Sequence, residues 1–104
     1  MISGKGSDYL DGGKGNDILT GGLGIDKVYG GKGNDIFKMT VGSGYDKVKD
    51  FKDGQDKIDI SALGDTFSLV ASGDDVKLFH GEDLIAKIYD TDKTDLTQSG
   101  DYLI

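Results

Sequence analysis

The chain has no cysteine and no arginine, and only one histidine and one glutamate among its 104 residues. Without cysteine, disulfides and thiolate metal sites are excluded. His80 stands alone, so a zinc centre has too few ligands, and its place in an apolar, strand-like run suits a structural role. With lysine as the only basic residue, forked recognition of phosphate or carboxylate is weak. The formal net charge of −7 argues against nucleic acid, whose binders carry a basic footprint. No apolar run reaches 18 residues, so no helix is expected to span a membrane. There is neither a G-x-x-x-x-G-K-[ST] loop nor a G-x-G-x-x-G run. Nothing near Ser61 or Ser72 poises a nucleophile, so the chain is not expected to be an enzyme.

What the chain does have is period. Nine residues separate Asp8 from Asp17, and the same step leads to Asp26 and to Asp35. The frames read SGKGSDYLD (3–11), GGKGNDILT (12–20), GGLGIDKVY (21–29) and GGKGNDIFK (30–38). Glycine recurs at the second and fourth places, aspartate at the sixth and an apolar residue at the eighth. Such fixed self-similarity marks a solenoid in which each unit obeys the same local rule. Of the 19 acidic residues 18 are aspartate, which general acidity would not require and short carboxylates in turns would.

The chemistry follows from the turn. Of 18 glycines, 11 fall between residues 4 and 33, at a conformational cost of roughly 0.5–1 kcal/mol each relative to alanine. Gly4, Gly6, Gly12, Gly13, Gly15, Gly21, Gly22, Gly24, Gly30, Gly31 and Gly33 would offer backbone carbonyls with no side chain in the way. A hard cation such as Ca²⁺ takes about 6–8 oxygens from carboxylates and carbonyls, and a glycine turn closed by aspartate supplies both. Asp8, Asp17, Asp26 and Asp35 are therefore candidate ligands. About four such ions would bring roughly +8, enough to cancel the formal charge.

Each three-residue tail, such as Ile18-Leu19-Thr20, is too short to bury a face alone. Two units make one coil of 18 residues, so odd repeats stack on one side and even repeats on the other, with strands ~4.8 Å apart. Leu10 is then expected over Val28, and Leu19 over Phe37. Asp8 meets Asp26, and Asp17 meets Asp35. Without metal, carboxylates about 5 Å apart repel by roughly 1–3 kcal/mol. Folding is thus expected to be coupled to the cation.

Two worn repeats follow, VGSGYDKVK (41–49) and FKDGQDKID (51–59), which keep aspartate (Asp46, Asp56) and the apolar residue (Val48, Ile58). Small insertions interrupt the period, but stacking continues if Asp26 faces Asp46 and Asp35 faces Asp56. Residues 62–104 abandon the repeat. Phe67–Ala71, Val76–His80 and Leu84–Tyr89 read as strands joined by turns at 72–75 and 81–83. They are expected to cover the open end of the solenoid. Thr94-Asp95-Leu96 reads as a short helical turn, and Asp90, Asp92 and Asp95 as a solvated loop. The fold class is all-β, a parallel β-roll with an antiparallel cap, in one domain: 3–38 clear repeats, 39–61 degenerate ones, 62–104 capping region and tail.

The repeats resemble those of the RTX family of bacterial type I-secreted proteins. The segment DKVKDFKDGQDKIDIS (46–61) is similar to the stretch that closes the repeat block in serralysin-like proteases and in mannuronan epimerase R-modules. Asp101, Tyr102, Leu103 and Ile104 are similar to the acidic-plus-three-apolar tail of serralysin-like secretion signals. The resemblance implies calcium between stacked turns, secretion from a Gram-negative bacterium, and a type I exporter as partner. Met1-Ile2 leads straight into the first repeat, so an upstream domain of a larger protein is expected as well. The first repeat departs from the pattern at Ser3, where glycine is missing. An alternative role is polysaccharide binding, for which Lys27, Tyr29, Lys38, Lys47 and Lys49 occupy outward strand positions. A monomer is expected.

Overall fold

The computed structural model describes residues 6–41, 44–52, 55–64, 66–91 and 96–104. Six short strands come from the six repeats: β1 (Tyr9–Asp11), β2 (Ile18–Thr20), β3 (Asp26–Tyr29), β4 (Ile36–Lys38), β5 (Asp46–Val48) and β6 (Lys57–Asp59). In each, the apolar residue at the eighth place is buried, because a strand alternates faces and only one face meets the opposite sheet. The chain alternates sides as its period requires. β1, β3 and β5 pair in parallel in one sheet, and β2, β4 and β6 in the other.

The register agrees with the expected stacking. Leu10 pairs with Val28, Leu19 with Phe37, Asp26 with Asp46, and Phe37 with Ile58. Leu10, Val28 and Val48 make one inward column and Leu19, Phe37 and Ile58 the other, within a single apolar core. Each such side chain contributes about 1.5–3 kcal/mol on burial. Met39, Phe51, Ile60 and Leu63, from the segments after β4, β5 and β6, belong to the same core.

The region after residue 61 divides between the two sheets. β7 (Phe67–Ser72), β8 (Asp75–His80) and β9 (Asp83–Ile88) form an antiparallel meander. Its last strand lies parallel to β5, with Val48 opposite Ile88. The odd sheet thus grows to six strands in the order β1-β3-β5-β9-β8-β7. At the register position where the repeats place aspartate, β9 places Ala86 opposite Asp46. The aspartate column stops there.

The other sheet is extended by the tail. β10 (Gln98–Ser99) and β11 (Tyr102–Leu103) pair antiparallel, and β11 lies antiparallel on β6 with Leu103 opposite Ile58. Leu103 is only 1% exposed. The last four residues, read from sequence as an address, therefore also supply a strand and a core side chain. The expected helical turn at 94–96 and the acidic loop at Asp92 and Asp95 lie largely outside the described residues; Leu96 is buried in the core. No helix among the described residues is long and apolar enough to cross a membrane.

Candidate metal centres

Glycine and aspartate build the turns for separate reasons. Gly24 and Gly33 take φ of +93° and +99°, which an L side chain rarely adopts. A Cβ on either would also strike the backbone of Gly6 or Gly15 in the coil before it. The fourth place is thus glycine because the coils touch there. Asp26 and Asp46 begin their strands, while Asp17 and Asp35 stand one residue ahead of theirs.

The aspartates are linked from coil to coil. The Asp8 N–H donates to Asp26 Oδ1 at 2.8 Å, Asp17 N–H to Asp35 Oδ1 at 2.9 Å, and Asp35 N–H to Asp56 Oδ1 at 2.9 Å. Asp26 and Asp35 are wholly buried, and Asp46 and Asp56 nearly so. In Asp26 and Asp35 one carboxylate oxygen is thereby satisfied and the other is not. Among the described residues, the buried side-chain oxygens left without a partner are Asp17 Oδ2, Asp26 Oδ2, Asp35 Oδ2 and Asp46 Oδ1. They fall into pairs by stacking: Asp17 with Asp35, and Asp26 with Asp46.

Each orphaned buried oxygen costs about 1–3 kcal/mol, and more if charged. The protonation of these groups responds accordingly. Burial, then the Asp26 charge and a hydrogen bond shared with Asp26, push the Asp46 carboxyl up to about 7. Burial also raises Asp35, with the Asp56, Asp17 and Asp50 carboxylates adding to the effect and the Asp17 backbone hydrogen bond opposing it. Such a site asks for a proton or for a cation.

The surroundings fit a cation with oxygen ligands. A Cβ placed on Gly12 would lie 2.7 Å from Asp17 Oδ2 and 2.8 Å from the Gly30 carbonyl oxygen. One placed on Gly21 would meet Asp46 Oδ1 and Asp26 Oδ2, and one on Gly30 would meet Asp35 Oδ2. The first-place glycines therefore keep clear a hollow that orphan carboxylate oxygens and a carbonyl line. No cluster of three acidic or histidine side chains exists among the described residues, so the remaining ligands would be backbone carbonyls. A carbonyl-rich, two-carboxylate shell suits a large hard ion.

Residues 2–37 match the RTX calcium-binding nonapeptide repeat in four copies. These residues are RTX repeats. Their cation is Ca²⁺. The chain is also similar to the solution structure of a subunit of the Azotobacter vinelandii mannuronan C5-epimerase. The two are 28% identical with a TM-score of 0.57, over 84% of this chain and 69% of that one. No curated protein sequence matches the chain.

Of the orphan oxygens, those of Asp17, Asp26 and Asp35 fall in the matched repeats and that of Asp46 in the worn repeat after them; together with glycine carbonyls they would hold the metal. Bound Ca²⁺ supplies the positive charge that lets paired buried carboxylates stay ionised. Two candidate residues sit differently. Asp8 is half-buried in the first coil, and its amide is held by Asp26. Asp56 has both oxygens occupied, Oδ1 by the Asp35 amide and Oδ2 by the Lys52 amide at 2.9 Å. Its carboxylate frames the turn. Gly4 lies outside the described residues. Gly6, Gly13 and Gly15 stand at the open first coil with no atom near their Cβ positions. Gly22 and Gly31 share their positive φ.

Sequence reading missed two residues of the turns. Asn34 N–H donates to Asn16 Oδ1 at 2.8 Å, a coil-to-coil link signalled by the shared K-G-N-D of repeats two and four. Asp50 accepts both the Gly30 and Gly31 amides; its signal was only the broken period.

The lysines sort by sheet. Lys27 and Lys47 stand in register on the outer face of the odd sheet, and β9 and β8 add Lys87 and Lys77 to the same row. Beside that row, the Tyr9 and Tyr29 rings lie 5.1 Å apart, and the Lys49 Nζ sits 3.8 Å from the Tyr89 ring centre. Lys38 is outward too, but on β4 of the other sheet, so it does not join this face.

Proposed function

We propose that the chain is a calcium-dependent folding and secretion module of a larger extracellular protein. The observation that carries this reading is the set of paired, buried, partnerless aspartate oxygens between stacked turns. In a cytosol poor in calcium these pairs oppose closure of the coils, and the chain stays open enough to be threaded through an exporter. Outside, sites in the 10⁻⁴–10⁻³ M affinity range typical of extracellular modules fill, and the cation stabilises the folded form by mass action. The Asp101–Ile104 tail, similar to type I signals, would be the element that the exporter reads, and a Gram-negative bacterium the source. The test is circular dichroism of the chain in EDTA and in millimolar Ca²⁺, with secretion of tail-deleted and intact chains compared in a type I export strain. A calcium-dependent gain of β signal together with tail-dependent export is expected; identical spectra in the two buffers would overturn the folding switch.

A second reading rests on the outer face of the odd sheet. Four lysines in register beside Tyr9, Tyr29 and Tyr89 form a basic, aromatic strip on an otherwise acidic chain. Charges spaced by strand pairing suit a linear acidic polysaccharide, and the epimerase subunit that this chain resembles comes from a mannuronan-modifying enzyme. Titrating the calcium-loaded chain with polymannuronate should perturb Lys27, Lys47 and Lys87 resonances; perturbation confined elsewhere would remove this reading.

A further inference from the structure

The coil interfaces are not built alike, and the difference centres on Asp50. In the first interface the Gly12 amide donates to the Tyr29 carbonyl, and the Gly13 amide is held locally by Asp11 Oδ1 at 2.9 Å. Asp11 is the ninth residue of its repeat. One coil later the same register position is Tyr29, which has no short carboxylate to fold back onto the amide two residues on. Its place is taken from the following coil: Asp50 Oδ1 accepts the Gly30 amide at 2.7 Å and Oδ2 the Gly31 amide at 2.9 Å.

The consequence runs through one peptide plane. The Gly31 N–H and the Gly30 C=O belong to the same trans peptide, so they point in opposite directions. Holding the N–H toward Asp50 aims the Gly30 carbonyl the other way, into the hollow it shares with Asp17 Oδ2 beside Gly12. Both Asp50 oxygens are engaged by amides, so the carboxylate serves the turn.

We propose that Asp50 is a positioning residue for calcium: by clamping two amides of the 30–35 turn, it aims the Gly30 carbonyl at the site shared with Asp17. The inference rests on the calcium reading of these turns and assigns one broken-period residue to it. It also explains how a tyrosine is tolerated at position 29.

The full-length chain is titrated with CaCl₂, following heat and circular dichroism, for the parent, Asp50→Ala, Asp50→Asn and the double variant Asp50→Ala/Tyr29→Asp. Loss of two charge-assisted bonds should raise the calcium midpoint of Asp50→Ala about tenfold. Asp50→Asn keeps one acceptor and should shift it less. Tyr29→Asp restores in the second coil the local arrangement that Asp11 makes in the first, so the double variant should recover most of the loss. A rescue of this kind is not expected if Asp50 contributes only surface charge. An unchanged midpoint in Asp50→Ala, or a double variant no better than Asp50→Ala, would overturn the proposal. If Asp50→Ala does not fold at any calcium level, recovery of folding in the double variant still decides it. A parent chain that takes up no calcium would instead remove the calcium reading itself.

Discussion

β1 to β6 are three or four residues long and turn back through glycine, whereas β7, β8 and β9 each run to six residues. The short strands bury mainly one apolar side chain apiece, with wholly or largely buried carboxylates stacked in the adjoining turns. The long strands bury Val76, Leu78, Ile85, Ala86 and Ile88 and carry no buried charge. On the folding reading proposed above, the first region closes only when its carboxylates are answered, while the second rests on apolar burial and antiparallel pairing. The difference teaches where a condition can be written into a fold. Glycine-rich turns contribute little favourable energy of their own, so on that reading the cation's contribution decides whether they close.

Removing calcium tests that contrast most severely. In EDTA, amide-exchange protection should vanish across β1–β6 and fall less in β8, where antiparallel pairing and apolar burial persist; Mg²⁺ should restore little, since it demands a tighter octahedral shell. Equal loss of protection in both regions would erase the distinction between them.

Next in size are the interior aspartates. Asp26→Ala and Asp35→Ala each remove an orphan oxygen and an amide acceptor, so the calcium midpoint should rise by about tenfold to a hundredfold. Asp8→Ala lies at the open coil and should shift it less. Equal midpoints in a side-by-side titration would contradict the stacking order of the sites.

Leu103→Ala probes the other kind of stability. A buried leucine truncated in a packed core costs about 2–5 kcal/mol, and the loss should appear as a lower Tm even at saturating calcium. Deleting Asp101–Ile104 should do the same, because β11 covers the edge of β6. An unchanged Tm would show that the tail packs without supporting the core.

The smallest effect is on pH. Asp46 has its carboxyl pushed up to about 7 in the metal-free fold, above the ordinary value of about 3.9. The folded state thus holds a proton that the unfolded chain releases, so this group's contribution is full below pH ~4 and is lost as pH rises through about 7. Calcium replaces that proton. Its midpoint should therefore fall as pH rises through this window, with proton release measurable by calorimetry in buffers of different ionisation heat, and Asp46→Ala should flatten the trend.

Much of this was legible in the nine-residue period. The pairing of Leu10 with Val28, of Leu19 with Phe37 and of Asp26 with Asp46 follows from alternating sides every nine residues. The hairpin strands were legible from β-branched and apolar runs, but their partner was not: pairing of β9 with β5 is a long-range choice that local pattern does not encode. β11 was hidden for the opposite reason, since two residues carry no periodicity. Asp50 escaped because its role arises where the period breaks, and the four-lysine row because Lys77 and Lys87 join it from strands outside the repeats.

The alternation of sides carries a parity rule. An insertion of 18 residues within the repeats adds a whole coil and returns every later strand to its own sheet. An insertion of nine would exchange the sheets for everything downstream, bringing β9 to the column of Phe37 and β11 to the column of Val28. Such a chain would present Ala86, the residue that ends one aspartate ladder, to the wrong ladder. Repeat arrays of this design should lengthen or shorten in pairs of units, and a lone unit, although perfect in sequence, should be rejected by the fold.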